Sequence, residues 1–236
     1  MVHYLREQAE INGNSWVNVD DLCLAIEQVC GPTDQEKVYE VVRRGIRDKT
    51  LYFDNADGRI GLTEYRRLEE NLADEIARIQ NGSAAIPIDE RKAKEVLAKV
   101  EKEQGFGFTE EQNAAIWNTL NSQFSILTGL GGTGKTSAVN GIAHVLREHN
   151  YRVAQVSLSG RAASKLTEIT HIPGQTIHRL LGYDPESGGF HYNKENPVPY
   201  DIIIGDEVSM WGGEITLDLL RAVPNGAKVL FIGDPK

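Results

Sequence analysis

Two rhythms of apolar and polar positions divide this 236-residue chain. In the first part, apolar residues recur at helical spacing. Leu22, Ala25, Ile26 and Val29 mark an amphipathic helix that Asn18 or Asp20 can cap. Pro32 and Thr33 break it before a second helix over 38–46. Leu51, Tyr52 and Phe53 then face Arg59, Ile60, Gly61 and Leu62 across a turn at Asn55, Ala56, Asp57 and Gly58, which reads as a hairpin. Helix, helix, hairpin is a winged-helix-like order, one that other small α+β domains share. Thr63 can cap a long amphipathic helix through Gln80. Asn81, Gly82, Ser83 and Pro87 mark a boundary before a charged helix from about Asp89 to Gln104. The organisation expected is a domain over 1–80, with a linker and helix over 81–107.

From Phe108 onward the rhythm changes to short apolar runs at 124–128, 152–157, 201–204 and 228–232, separated by helical stretches. That is the alternation of an α/β fold, a parallel sheet covered by helices on both faces. It predicts one domain over 108–236 with a hairpin inserted at about 182–200. In such sheets ligands bind beyond the carboxyl ends of the strands, and the suggestive residues follow each run directly.

Composition changes this picture little. No apolar run approaches the roughly 18 to 20 residues that cross a bilayer, and the polar start at His3, Arg6, Glu7 and Glu10 is unlike a secretory leader. A cytoplasmic protein without membrane contact is expected. Cys23 and Cys30 fall on nearly the same helical face and read as core residues. The net charge of −9 argues against nucleic acid, but its distribution does not. Between positions 135 and 181 stand six Lys and Arg residues against Glu148 and Glu168, so that stretch is locally basic.

The strongest chemical signal is Gly129, Leu130, Gly131, Gly132, Thr133, Gly134, Lys135 and Thr136, followed by Ser137. It fits the phosphate-loop spacing between a strand and a helix over 137–147. Glycines there let backbone N–H groups turn in around phosphate oxygens, and the helix start adds partial positive charge. Lys135 is placed to reach the β- and γ-phosphates of ATP, and the Thr136 hydroxyl to ligate Mg²⁺. Asp206 and Glu207 end the most apolar strand, Asp206 suited to the metal and Glu207 to the attacking water. Upstream, Gln112 can read an adenine edge with its amide.

With these blocks in order, the chain resembles the RecD-like branch of superfamily 1 DNA helicases. The matching residues are the Gln112 segment, the loop from Gly129 to Thr136, Ser159, Gly160, Arg161, Ala162 and Ala163 with Leu166, and Thr176 to Leu181. Asp206, Glu207, Val208, Ser209 and Met210 follow, and Gly233, Asp234, Pro235 and Lys236 close the match, which covers about 105–236. The resemblance implies a RecA-like ATP-binding domain of a motor that moves 5′ to 3′ on single-stranded DNA and meets a duplex junction. Ser159, Gly160, Arg161 and Lys165 resemble a DNA-backbone block, although Arg161 could instead serve a local helix. His178 and Arg179 resemble a block near DNA, with a structural histidine as the other reading. Phe190 and His191, with Tyr192, stand where such helicases carry a strand-splitting pin; an ordinary surface hairpin is the alternative. The first domain resembles, in layout, the small domain ahead of the motor in longer relatives, as a guide for DNA or a brace.

The sequence also departs from the family. Leu130 and Gly131 replace a common Gly-Pro pair, and Gly205 stands where an apolar residue is usual, which is expected to cost strand packing. The family's Gly-Asp block continues into a Gln, whereas this sequence ends at Lys236, so the second RecA-like domain with its arginine fingers is expected elsewhere in a longer protein. The isolated chain is expected to bind nucleotide weakly and not to unwind DNA. Two other readings share the blocks: the motor of a conjugative relaxase and a non-motor ATPase switch. Protein partners are not legible.

Overall fold

The computed structural model describes residues 1–31, 35–83, 86–130 and 134–234. The helix break expected at Pro32 and Thr33 lies outside them, as do Gly131, Gly132, Thr133, Pro235, Lys236 and the side chain of Cys30. The described chain forms two units, 1–71 and 72–236.

In the first unit, α1 (Val2–Asn12) stops at Gly13, whose φ of 70° suits glycine. Then come β1 (Trp16–Asn18), α2 (Val19–Cys30), α3 (Gln35–Arg47), β2 (Leu51–Asp54) and β3 (Arg59–Leu62). Asn18 does cap α2, accepting from the Asp20 N–H at 2.9 Å. The three strands pair antiparallel in the order β1-β3-β2. Helix α1 and strand β1 were not legible: α1 buries only Leu5, and β1 has three residues. Gly61 admits β1, because a Cβ there would meet the Ser15 carbonyl oxygen at 2.6 Å. Leu5, Leu22, Val42, Leu51, Ile60 and Leu62 form the core, and Cys23 is buried as a free thiol.

Helix α4 (Thr63–Gln80) carries the division between the units. In the second unit, α5 (Glu90–Gln104), α6 (Glu110–Asn121), β4 (Phe124–Thr128), α7 (Lys135–Glu148), β5 (Val153–Ser157), α8 (Gly160–Thr170), β6 (Gly174–Thr176) and α9 (Ile177–Leu181) come first. The hairpin β7 (Tyr183–Asp184) and β8 (Gly189–Phe190), then β9 (Ile202–Gly205), α10 (Gly213–Ala222) and β10 (Lys228–Gly233) complete it. The sheet runs β4-β10-β9-β5-β6, and all its strands are parallel.

Alternation along the central strands explains how both faces are covered. Ile202, Ile204, Leu230 and Ile232 join one core cluster with residues of α5, α6 and α7. Their neighbours Ile203, Val229 and Phe231 join a second with Leu180 of α9, Leu219 of α10 and Ile79 of α4. Each fully buried isoleucine contributes about 1.5 to 3 kcal/mol of transfer free energy. The helix expected to accompany the linker is instead a wall of this core, since α5 buries Ala93, Val96, Leu97 and Val100. Its charged residues occupy the other face and hide the apolar stripe from a composition-based reading. Strand β6 was not foreseen, because Gly174, Gln175 and Thr176 carry no apolar alternation.

Candidate nucleotide site at the carboxyl ends of the sheet

Strand β4 ends at Thr128, and α7 starts at Lys135, two residues ahead of the predicted start. Gly134 caps it at φ 79°, a conformation that L side chains enter at a cost. A Cβ at Gly134 would also collide with Gln112 Nε2. Gln112 belongs to a capping box: Thr109 Oγ1 accepts from the Gln112 N–H at 3.2 Å, and Gln112 Oε1 accepts from the Thr109 N–H at 2.9 Å. Gln112 Nε2 donates to the Gly134 carbonyl at 3.1 Å. The residue expected to read a base is therefore also the brace between α6 and the phosphate loop. Each end of its amide retains one further hydrogen-bonding position.

Lys135 Nζ donates to the Gly129 carbonyl, to the Leu130 carbonyl at 3.2 Å, and to the carboxylate of Asp234 as an ion pair. Asp234 follows β10, whose Gly233 pairs with Thr128 of β4, so the register itself brings the two loops together. Ser137 Oγ donates to Gln104 Oε1 at 3.2 Å.

On β9, Gly205 sits beside Phe231 of β10 and Val156 of β5. The Asp206 N–H donates to the Val156 carbonyl at 2.9 Å, carrying the ladder one residue past the strand, and Asp206 Oδ1 accepts from the Glu207 N–H at 2.9 Å. Burial pushes the Asp206 carboxyl above the usual carboxylate range. The Glu207 charge adds to the rise, while the Glu207 N–H and the Lys165 and Lys135 charges oppose it. Glu207 is exposed and has φ 56°, the turn that separates its side chain from that of Asp206. Glu207 and Asp206 therefore leave the same strand end in different environments, one exposed and one partly buried.

Gly205 does not cost packing, contrary to the sequence expectation. The indole of Trp211 occupies the space a side chain would take, with Phe231 Cδ1 3.1 Å from the position of a Cβ. Trp211 and Phe231 stack edge to face, their centroids 5.4 Å apart.

At the next strand end, Ser159 caps α8 by accepting from the Ala162 N–H at 3.1 Å. Gly160 opens the helix, and Arg161 and Lys165 are exposed on it. With Ser159 as the cap, Arg161 has no capping task, and neither basic side chain has an ion pair among the described residues. Thr176 caps α9 in the same manner, leaving His178 and Arg179 exposed.

The inserted hairpin is a two-residue pair, Tyr183 opposite Phe190 and Asp184 opposite Gly189. Its turn covers 185–188. Asp184 organises it by accepting from the Glu186 N–H at 3.0 Å and Ser187 Oγ at 2.7 Å. Phe190 and Tyr192 pack against the core and are only partly open, so the aromatic expected to be available at Phe190 is committed inward. The outward rings are His191, His178 and Tyr183, the last 48% exposed and missed by the sequence reading. His178, Tyr183 and Phe190 form one cluster, with centroid separations of 6.0, 6.0 and 5.5 Å.

This arrangement has counterparts among known proteins. A model of the AAA domain family matches residues 112–236. The ATP-dependent RecD2 DNA helicase of Deinococcus radiodurans is 36% identical over 203 residues, 84% of this chain and 27% of that protein. The RecBCD enzyme subunit RecD of Mycolicibacterium smegmatis is 34% identical over 155 residues, 56% of this chain and 28% of that one. The ATP-dependent DNA helicase PIF1 of Trypanosoma brucei brucei is 33% identical over 101 residues, 43% of this chain and 10% of that one. The chain spans about a quarter of the length of its RecD-type relatives. Among the described residues, no helix is long and apolar enough to cross a membrane. By the family match over 112–236 and its likeness to these relatives, the chain belongs to the AAA domain family and, within it, to the RecD-like superfamily 1 helicases.

Proposed function

We propose that the chain is the nucleotide-binding motor domain of an ATP-dependent DNA helicase that acts in the cytoplasm and moves 5′ to 3′ on single-stranded DNA. One observation carries the reading: Lys135, Asp206, Glu207 and Asp234 all lie at the carboxyl ends of adjacent parallel strands, where an α/β sheet binds its ligand. The printed descriptions of relatives as ATP-dependent DNA helicases support it.

In this reading Gly129, Leu130, Gly131, Gly132, Thr133, Gly134 and the start of α7 cradle the phosphates. Lys135 neutralises the β- and γ-oxygens, and Ser137 follows Thr136 in the first turn of α7. Thr136 and Asp206 would hold Mg²⁺. Asp206 suits that role because, among the described residues, only its Oδ1 is engaged by protein. Bound Mg²⁺ supplies neutralisation of phosphate charge. Exposed Glu207 orients the attacking water and takes its proton. Gln112 meets the base edge with the donor and acceptor left to it. Ser159, Gly160, Arg161 and Lys165 contact DNA phosphates, while His178 and Arg179 flank a hairpin that meets the duplex junction with Tyr183 and His191, backed by Phe190. A second RecA-like domain completes the site in the whole protein.

Strand separation tests the proposal. The protein that carries this chain should unwind a duplex with a 5′ single-stranded tail in Mg-ATP, leave a duplex with a 3′ tail intact, and lose the activity in Lys135→Ala. No unwinding of either substrate by the unaltered protein would overturn it.

A further inference from the structure

Among the described residues Lys228 is the only buried lysine, 2% exposed, and the nucleotide reading leaves it without a task. It opens β10 and Asp234 follows the end of that strand, so about 20 Å separates Lys228 from the nucleotide end of the sheet.

Two of its three N–H donors are used, on the Ser122 carbonyl at 2.8 Å and on Gln123 Oε1 at 2.9 Å. Ser122 ends α6, and a cation is favourable at the carboxyl end of a helix, so the fold accounts for those bonds. It does not account for the third donor or for the charge. Both acceptors are neutral, and no carboxylate pairs with Lys228 among the described residues. A buried charge without a counter-charge is costly, and the lowered pKa of this ammonium, for which burial alone accounts, reflects that cost.

The ammonium and both of its partners line a single cavity. Lys228, Ser122 and Gln123 form the polar part of a space of about 540 Å³ whose apolar part includes Ile86, Ile88 and Leu120. The apolar part is held in place. Tyr151 Oη donates to the Ile86 carbonyl, His149 Nε2 accepts from the Asp89 N–H at 3.0 Å directly after Ile88, and Leu120 belongs to the core cluster beneath. Aliphatic walls with one cation at a polar end suit a small molecule that joins a short carbon skeleton to one negative charge. A phosphate dianion would call for a second cation, and among the described residues Lys228 is the only one lining the cavity.

We infer that this cavity at the amino end of the sheet binds a small aliphatic monocarboxylate, whose oxygen takes the third N–H of Lys228 and whose carbon chain lies along Ile86, Ile88 and Leu120. The site is independent of the nucleotide reading, since β10 carries the two at opposite ends.

Methyl-resolved nuclear magnetic resonance of the full chain, titrated with butyrate and with its neutral isostere butyramide, tests the inference. Butyrate is expected to shift the methyl signals of Ile86, Ile88 and Leu120 and to saturate below about 10 mM. Butyramide keeps the carbon skeleton without the charge and should bind at least about tenfold more weakly. Lys228→Met should abolish the butyrate response while the methyl spectrum stays that of a folded chain. Should that variant fail to fold, the two probes on the unaltered chain still decide the matter. No saturating shift with butyrate, an equal response to both probes, or a response that survives in folded Lys228→Met would each overturn the inference. So would butyrate binding by this chain that disappears in the protein that carries it, because the cavity would then be the seat of that protein's own carboxylate.

Discussion

Lys135 on α7 and Asp234 after β10 form an ion pair that ties the phosphate loop to the carboxyl end of the neighbouring strand. A nucleotide phosphate bound by Lys135 competes with that carboxylate for the same ammonium. The pair is partly open, Asp234 having 63% of its side chain exposed, so its contribution is of the size of a surface ion pair. Asp234→Asn is therefore expected to tighten Mg-ATP binding by about two- to fivefold, measured by calorimetry. Weaker binding in the variant would show that Asp234 helps to hold nucleotide rather than competing with it.

Gly134 faces two separate constraints, its positive φ and the proximity of Gln112 Nε2. Gly134→Ala is expected to lower stability by about 1 to 2 kcal/mol from backbone strain alone and to weaken ATP binding by more than tenfold. Gln112→Ala removes one half of a capping box and should cost about 1 kcal/mol. In the double variant the collision is gone while the φ strain remains, so denaturant unfolding should show a combined loss smaller than the sum. Strict additivity would mean that the two side chains do not meet.

Gly205 and Trp211 make a complementary pair on the other face of the sheet. Gly205→Ala is expected to destabilise the chain by about 1 to 3 kcal/mol through overpacking against the indole. The same substitution in a Trp211→Ala background should cost markedly less, read by thermal unfolding. An equal cost in both backgrounds would remove Trp211 as the reason for glycine.

Lys228 is buried at the start of β10, where its Nζ donates to the Ser122 carbonyl at 2.8 Å and to Gln123 Oε1 at 2.9 Å. Both partners are neutral, and burial lowers its pKa from 10.5 to about 8. Between these two values the unfolded chain holds more protons on this group than the folded chain does, so its contribution to stability rises with pH across that window. Unfolding free energy measured from pH 7 to 10.5 should therefore rise in the wild type relative to Lys228→Met. A wild-type curve parallel to that of the variant would show that the ammonium titrates normally.

The readability of this protein from sequence follows from how local each signal is. The phosphate loop, the acidic pair and the four apolar strands were legible because each is one contiguous run whose neighbours name its secondary structure. Asn18 announces its helix through capping chemistry that extends only two residues. What stayed hidden depends on partners distant in sequence. Gly205 looks like a defect until Trp211 is seen over it, and Lys135 has no visible claim on Asp234, 99 residues away. Phe190 reads as a free aromatic beside a turn, yet the core takes it and leaves Tyr183 outside. The charges of α5 concealed the burial of this expected helix in the sheet's cover.

The central claim is that this site is an ATPase governed by DNA. Its most direct test is the rate of ATP hydrolysis by the protein that carries this chain, with and without single-stranded DNA, beside the Lys135→Ala variant. The account predicts a rate raised many-fold by DNA and abolished in the variant. A rate indifferent to DNA, or one that survives loss of Lys135, would contradict it.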